Sequence, residues 1–126
     1  MGFLSKLFGS KPAPQATDSS KDEHAVLVHI KLAAEMPSED EMAKYHALQD
    51  QLIAAIEAAA AGELDGDEWG GGECVIYTYG PGADALWDAI APVLEKHPFP
   101  RGSFAIKRYG GPDCGREERV RIEWDG

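Results

Sequence analysis

Between His24 and Leu32 the chain alternates strictly: Val26, Val28, Ile30 and Leu32 fall on one side, and Leu27, His29 and Lys31 on the other. A period of two predicts a strand with one strongly buried face. The period then changes. In "PSEDEMAKYHALQDQLIAAIEAAAAG" the apolar residues Met42, Tyr45, Leu48, Leu52 and Ile56 recur at helical spacing. Ser38 and Glu41 form a capping box at its start, acids fill its first turn, and Gly62 supplies a stop. "ECVIYTYG" is β-branched and aromatic, which predicts a strand ending at Gly80-Pro81. "ADALWDAIAPVLEKH" returns to helical spacing through Leu86, Trp87, Ile90, Val93 and Leu94, with Asp84 as the expected cap. Pro92 inside it is expected to kink or thin the last turns. Two strands close the chain, "SFAIKRYG" and "REERVRIEW", joined through the hairpin connection "GPDCG". In the last, Val120, Ile122 and Trp124 alternate with Arg119, Arg121 and Glu123.

One stretch resists immediate placement. "ELDGDEWGGGE" holds Glu63, Asp65, Asp67, Glu68 and Glu73 around three consecutive glycines. It lies between a helix and a strand, where a partner strand is missing. Reading Gly62–Trp69 as that strand and the glycines as a tight reversal gives the order β-α-β-β-α-β plus one more strand. The expected class is therefore α+β: a two-layer ferredoxin-like antiparallel sheet with two helices on one face and an extra C-terminal strand. Residues 1–22 read as an apolar segment followed by a Pro/Ser/Ala-rich linker, and residues 23–126 as a single domain.

Composition supports one globular unit: 126 residues, 44% hydrophobic and 9% aromatic, enough to build a core without metal or disulfide staples. The net charge of −10 argues against nucleic-acid binding driven by phosphate neutralisation. The charge is uneven. Residues 1–100 carry 6 basic and 17 acidic groups, whereas residues 101–126 carry 6 and 5. Cys74 and Cys114 form no C-x-x-C pair, and with no signal peptide visible the expectation is two reduced thiols in a cytoplasmic protein. No apolar run is long enough for a transmembrane span. Phe3, Leu4, Leu7 and Phe8 recur at helical spacing beside Lys6 and Lys11. They form a candidate contact with the domain, a partner or, weakly, a membrane surface, although one amphipathic turn is too short to anchor alone.

The candidate chemistry is thin. The acidic Gly-rich stretch would repel phosphate, so it is no anion cradle. As a cation site it offers Asp65 and Asp67 on one strand face, with Glu68 on the other, which is a hydrated site at best. No metal or cofactor is expected. Cys74 reads as a small core thiol, because nothing nearby lowers its pKa and Glu73 beside it would raise it. The four histidines lack zinc-ligand spacing; His24 and His46 read as exposed, and His97 as a cation at a helix end. The sheet face left uncovered by helices holds more interest. His29 and Lys31 should point there from the first strand, joined by Lys107 and Tyr109 near the end. Tyr77 and Tyr79 share a face whose direction the pattern leaves open. Trp69 and Arg108 complete the set of candidate contact residues.

At "GELDGDEWGGGECVIYTYGPGADALWDAI" the chain resembles small, uncharacterised bacterial proteins with a G-E-x-D-G-x-E, Gly-rich turn, Y-G-P-x-A-D pattern. The likeness spans His24 to Trp124 and implies the ferredoxin-like arrangement, but no activity. Gly82 departs from the pattern, which favours Asp there. By size, charge and architecture the chain also resembles immunity proteins of bacterial toxin systems. The functional expectation is a non-enzymatic binding or regulatory module that engages a protein partner through its acidic surface or open sheet face, with a sheet-to-sheet homodimer as a further option. The alternative is a small-molecule-binding protein or small enzyme using Asp65 and Asp67 with His29 and Arg108. A pocket joining those four groups would favour chemistry; a flat face would favour contact.

Overall fold

The computed structural model describes residues 23–111 and 115–122. Phe3, Leu4, Leu7, Phe8, Cys114 and Trp124 lie outside the described residues. The elements follow in the order β1 (His24–Lys31), α1 (Glu39–Ala59), β2 (Glu63–Gly70), β3 (Glu73–Gly80), α2 (Ala83–Leu94), β4 (Phe104–Arg108) and β5 (Glu117–Arg121). The class is α+β. Five strands form one antiparallel sheet in the order β2-β3-β1-β4-β5.

The alternation of β1 sets the layers. Val26, Val28 and Ile30 are fully buried, and the register sets Thr78, Ile76 and Cys74 of β3 directly opposite them. Directly opposed residues share a face, so these six lie beneath the helices. Tyr45, Leu48, Leu52 and Ile56 of α1 and Leu86, Ile90 and Leu94 of α2 complete this core. Each fully buried Leu or Ile contributes on the order of 1.5–3 kcal/mol of transfer free energy. Two further core residues come from outside the regular elements. Ile122, just past β5, is fully buried, and Phe99 after α2 stacks at 6.4 Å on Tyr45.

The ends of α1 show how local chemistry fixes the boundaries. The Ser38 hydroxyl accepts the Glu41 N–H at 3.1 Å, and Glu41 Oε1 accepts the Ser38 N–H at 2.9 Å, the reciprocal pairing of a capping box. Glu41 Oε2 also accepts the Ala33 N–H, tying the helix start to the segment after β1. The helix stops earlier than expected from Gly62. Ala60 takes the left-handed conformation at φ 50° and closes the last turn. Gly62 serves the sheet instead, where its φ of +145° brings β2 in against the backbone of Tyr79 and Gly80.

The triple glycine is a reversal, as expected. Gly71 and Gly72 both have positive φ, 63° and 85°, which suits a two-residue hairpin turn matched to strand twist. At the start of α2 the expectation fails. Gly82, not Asp84, is the N-cap, and it makes no side-chain bond. His24 Nδ1 instead accepts the Ala83 N–H at 2.9 Å, so a histidine from β1 satisfies a donor at the helix start. Pro92 sits within α2, which runs on to Leu94.

Candidate functional site

The register of five strands decides which side chains reach the face that no helix among the described residues covers, here the helix-free face. On β1 these are Leu27, His29 and Lys31. Tyr77 lies opposite Leu27 and Val75 opposite His29; Tyr79 is opposite Ala25. The direction of Tyr77 and Tyr79 is thereby settled: both lie on the helix-free face. β4 adds Phe104, Ile106 and Arg108, and β5 adds Glu117, Arg119 and Arg121. From the other edge, Glu63 lies opposite Tyr79 and Glu68 opposite Val75.

The side chains on this face interlock. The His29 and Phe104 rings stack at 4.5 Å and 11°, and the Arg119 guanidinium lies 3.7 Å from the centre of the Phe104 ring. His29 Nδ1 stands 3.1 Å from Glu73 Oε1. A continuous path of contacts thus runs from β5 across β4 and β1 to β3. Cation–π contact of this kind contributes about 0.5–1 kcal/mol where solvent remains close. Tyr77 donates its hydroxyl proton to Glu68 at 2.5 Å, and that bond to a carboxylate pushes the phenol up to about 12. Burial raises the pKa of Tyr79, with the Asp65 charge adding to it, while Arg108 lies 6.0 Å from its ring centre. Glu23 is raised as well, first by burial and then by Glu63.

Three expected placements are corrected. Lys107 and Tyr109 do not join His29 and Lys31. Lys107 lies opposite Val26, hence on the helix side, where its ammonium meets Asp84 of α2 at 2.7 Å and Glu118 at 3.7 Å. The Tyr109 hydroxyl stands 2.8 Å from Asp84 and 3.1 Å from Glu118, its one proton shared between two acceptors, closing a peripheral polar cluster over the start of α2. Asp65 and Asp67 do not share a face. A register shift between Leu64 and Gly66 leaves Asp65 as the extra residue of a bulge, and a bulge resets the alternation. Asp67 then lies on the helix side, accepting the Gln49 amide at 2.6 Å with His46 at 3.7 Å. Trp69 follows it there, edge-on to His46 at 5.6 Å and packed against the core. Finally, His97 is no favoured cation: burial lowers its pKa, and Lys44 and Lys96 add to the effect.

The four groups of the enzymatic alternative therefore do not converge. Asp67 is on the opposite face from His29. His29 pairs with Phe104, four residues along β4 from Arg108, a separation of roughly 13 Å at strand rise. A cavity of about 370 Å³ lies elsewhere, lined by Ile53, Ile56, Glu57, Gly62, Glu63 and Leu64. Among the described residues no three His, Cys, Asp or Glu side chains are placed to share a metal ion. Cys74 is buried, and burial with the charges of Asp67 and Glu73 pushes its thiol up to about 12, the environment of an inert core thiol. No helix among the described residues is long and apolar enough to cross a membrane.

Sequence reasoning missed Gln49, a nearly buried amide that holds Asp67. The signal was available only as one polar residue adjoining the apolar stripe of α1. It also missed Arg119, Phe104 and Ile106 as members of the helix-free face. Comparison of the chain with family models, curated proteins and solved structures gives no significant match.

Proposed function

We propose that the chain is a non-enzymatic binding module, acting in the cytoplasm, that engages a protein partner through the helix-free face of its sheet. Its framework is ferredoxin-like, β1-α1-β2-β3-α2-β4, with β5 added beside β4 as a departure from the four-stranded form. The observation that carries the reading is the make-up of this face. Leu27, Tyr77, Phe104 and Ile106 form an apolar and aromatic centre, and charged side chains surround it. An apolar core with a charged rim is the anatomy of a protein contact surface. The candidate acid, base and anion-binding groups stand apart, His29 and Arg108 at separate places on this face and Asp67 on the other.

The test is capture from native extract with the full chain as bait, beside two variants. Ile106→Glu places a charge at the centre of the face, while Asp50→Lys alters an exposed position on α1. Thermal melts check that both variants fold. The reading expects a stoichiometric protein, another species or an untagged copy of this chain, retained by wild type and Asp50→Lys and lost with Ile106→Glu. Retention that is indifferent to Ile106→Glu would refute it.

A further inference from the structure

The helix-free face has a polarity that its apolar centre does not reveal. On the β2 and β3 side it carries Glu63, Glu68 and Glu73, with the bulge residue Asp65 acting on the neighbouring Tyr79. On the β1, β4 and β5 side the described residues carry Lys31, Arg108, Arg119 and Arg121, against Glu117 and, just before β1, Glu23. Among the described residues the face thus carries six carboxylates to four cations, in a chain of net charge −10. Much of the remaining negative charge sits on the helical layer, as with Glu39, Asp40, Glu41 and Asp50 of α1. That layer stands about 10 Å behind the sheet, comparable to the screening length of about 8 Å at physiological salt.

A face that is acidic at one edge, basic at the other and apolar between is complementary to itself under one symmetry operation. A two-fold axis lying between the sheets and parallel to the strands turns one copy so that its β2 edge overlies the β5 edge of the other. An axis perpendicular to the strands would instead set acid on acid and base on base. We infer that the partner of this face is a second copy of the same chain, packed sheet to sheet about a two-fold axis parallel to the strands, with the acidic β2–β3 side of each copy against the basic β4–β5 side of the other. The inference rests on the reading of the face as a contact surface and names its occupant. Aligned packing at about 30° between two twisted sheets accommodates this arrangement. The contact is isologous, so each acidic–basic meeting occurs twice and every charge effect is doubled. This axis keeps each residue's height along the strands, so Glu68 meets Arg121 and Tyr79 meets Arg108, whereas Glu63 meets Glu117; the Glu68–Arg121 match favours the register, and burial of the apolar centre supplies the affinity.

Charge reversal on the purified full chain tests the arrangement. One variant carries Glu68→Lys; the other carries Arg121→Glu. Masses are measured by sedimentation velocity, and thermal melts confirm folding. The proposal expects a wild-type dimer, at least ~10-fold weaker self-association in each variant, and a restored dimer when the two variants are mixed in equal amounts. Restoration on mixing cannot arise from misfolded variants, and tagging one of them identifies the species as a heterodimer. A monomeric wild type, a dimer indifferent to both reversals, or reversed variants that fail to recombine would each overturn it. If the wild type is monomeric while Ile106→Glu still abolishes capture of another protein, the homodimer is refuted and the contact surface stands. If capture is also indifferent to Ile106→Glu, both fall.

Discussion

Gly62→Ala should be the most damaging small change at the entrance to β2. At this point β2 and β3 approach through glycine on both sides. A Cβ on Gly62 would lie 2.0 Å from the Tyr79 carbonyl oxygen and 2.8 Å from the Gly80 Cα, and one on Gly80 would lie 2.1 Å from the Ala61 oxygen. All of these neighbours are backbone, so no side chain can swing away. Gly62 also has φ +145°, where an L side chain is strained by about 1–3 kcal/mol. Relieving the overlap must part the first rung, Glu63 with Tyr79, at a further ~0.5–1.5 kcal/mol for each ladder hydrogen bond lost. The sum is on the order of 2–4 kcal/mol. For a domain of this size that lowers the midpoint of thermal unfolding by roughly 10–25 °C. Gly66→Ala, in the same strand, is the control. Nothing stands within 4 Å of its Cβ, so the change should be neutral or stabilising by up to ~1 kcal/mol. Melts followed by circular dichroism read both. A Gly62→Ala midpoint within a few degrees of wild type, or an equal loss in Gly66→Ala, would refute the close-approach argument.

Other expectations follow from single contacts. Ser38→Ala removes the acceptor of the capping box and should cost about 1 kcal/mol in urea unfolding, with Ser38→Asp retaining most of it. In a Cys114→Ser background, Cys74 should react with a thiol reagent at pH 8 about a thousandfold more slowly in the folded than the unfolded chain, since its pKa rises from 9.0 to about 12. Bonds from Lys107 and then Tyr109 hold the Asp84 carboxyl below its ordinary 3.8. The stability this contributes is present above that value and lost as pH falls through the lower folded one, so Asp84→Asn should flatten the acid limb of a stability–pH profile.

Much of the architecture was legible because local and tertiary preferences agree. The β1 alternation, the Ser38–Glu41 box and the double-glycine turn each name one conformation, and the fold uses it. The failures share a cause. In β4 the apolar Ile106 points away from the helices, while small Ala105 and long Lys107 point toward them. The rule that apolar residues point inward inverts this strand. Ala105 suits the layer against the helices, and Lys107 reaches past it to Asp84. In β2 the bulge at Asp65 breaks the two-residue period, an event that no composition announces. At α2 the cap comes from His24, 59 residues away, and no local motif records a long-range bond. The site was partly legible for the same reason: His29 and Lys31 follow from a strand read correctly, the direction of Tyr77 and Tyr79 came only with their pairing to β1, and Lys107, Tyr109, Asp67 and Trp69 fell to the wrong side.

The central claim, that the helix-free face is the contact surface, is tested most directly by hydroxyl-radical footprinting of the full chain. Oxidation is measured in dilute purified protein, in concentrated protein and after addition of native extract. The account predicts that Tyr77, Tyr79 and Phe104 are oxidised in the dilute sample and protected on association. Met36 and Met42, 61% and 38% exposed and outside the strands that form that face, should stay unchanged. Protection confined to the methionines, or none at the three aromatics under any condition, would contradict it.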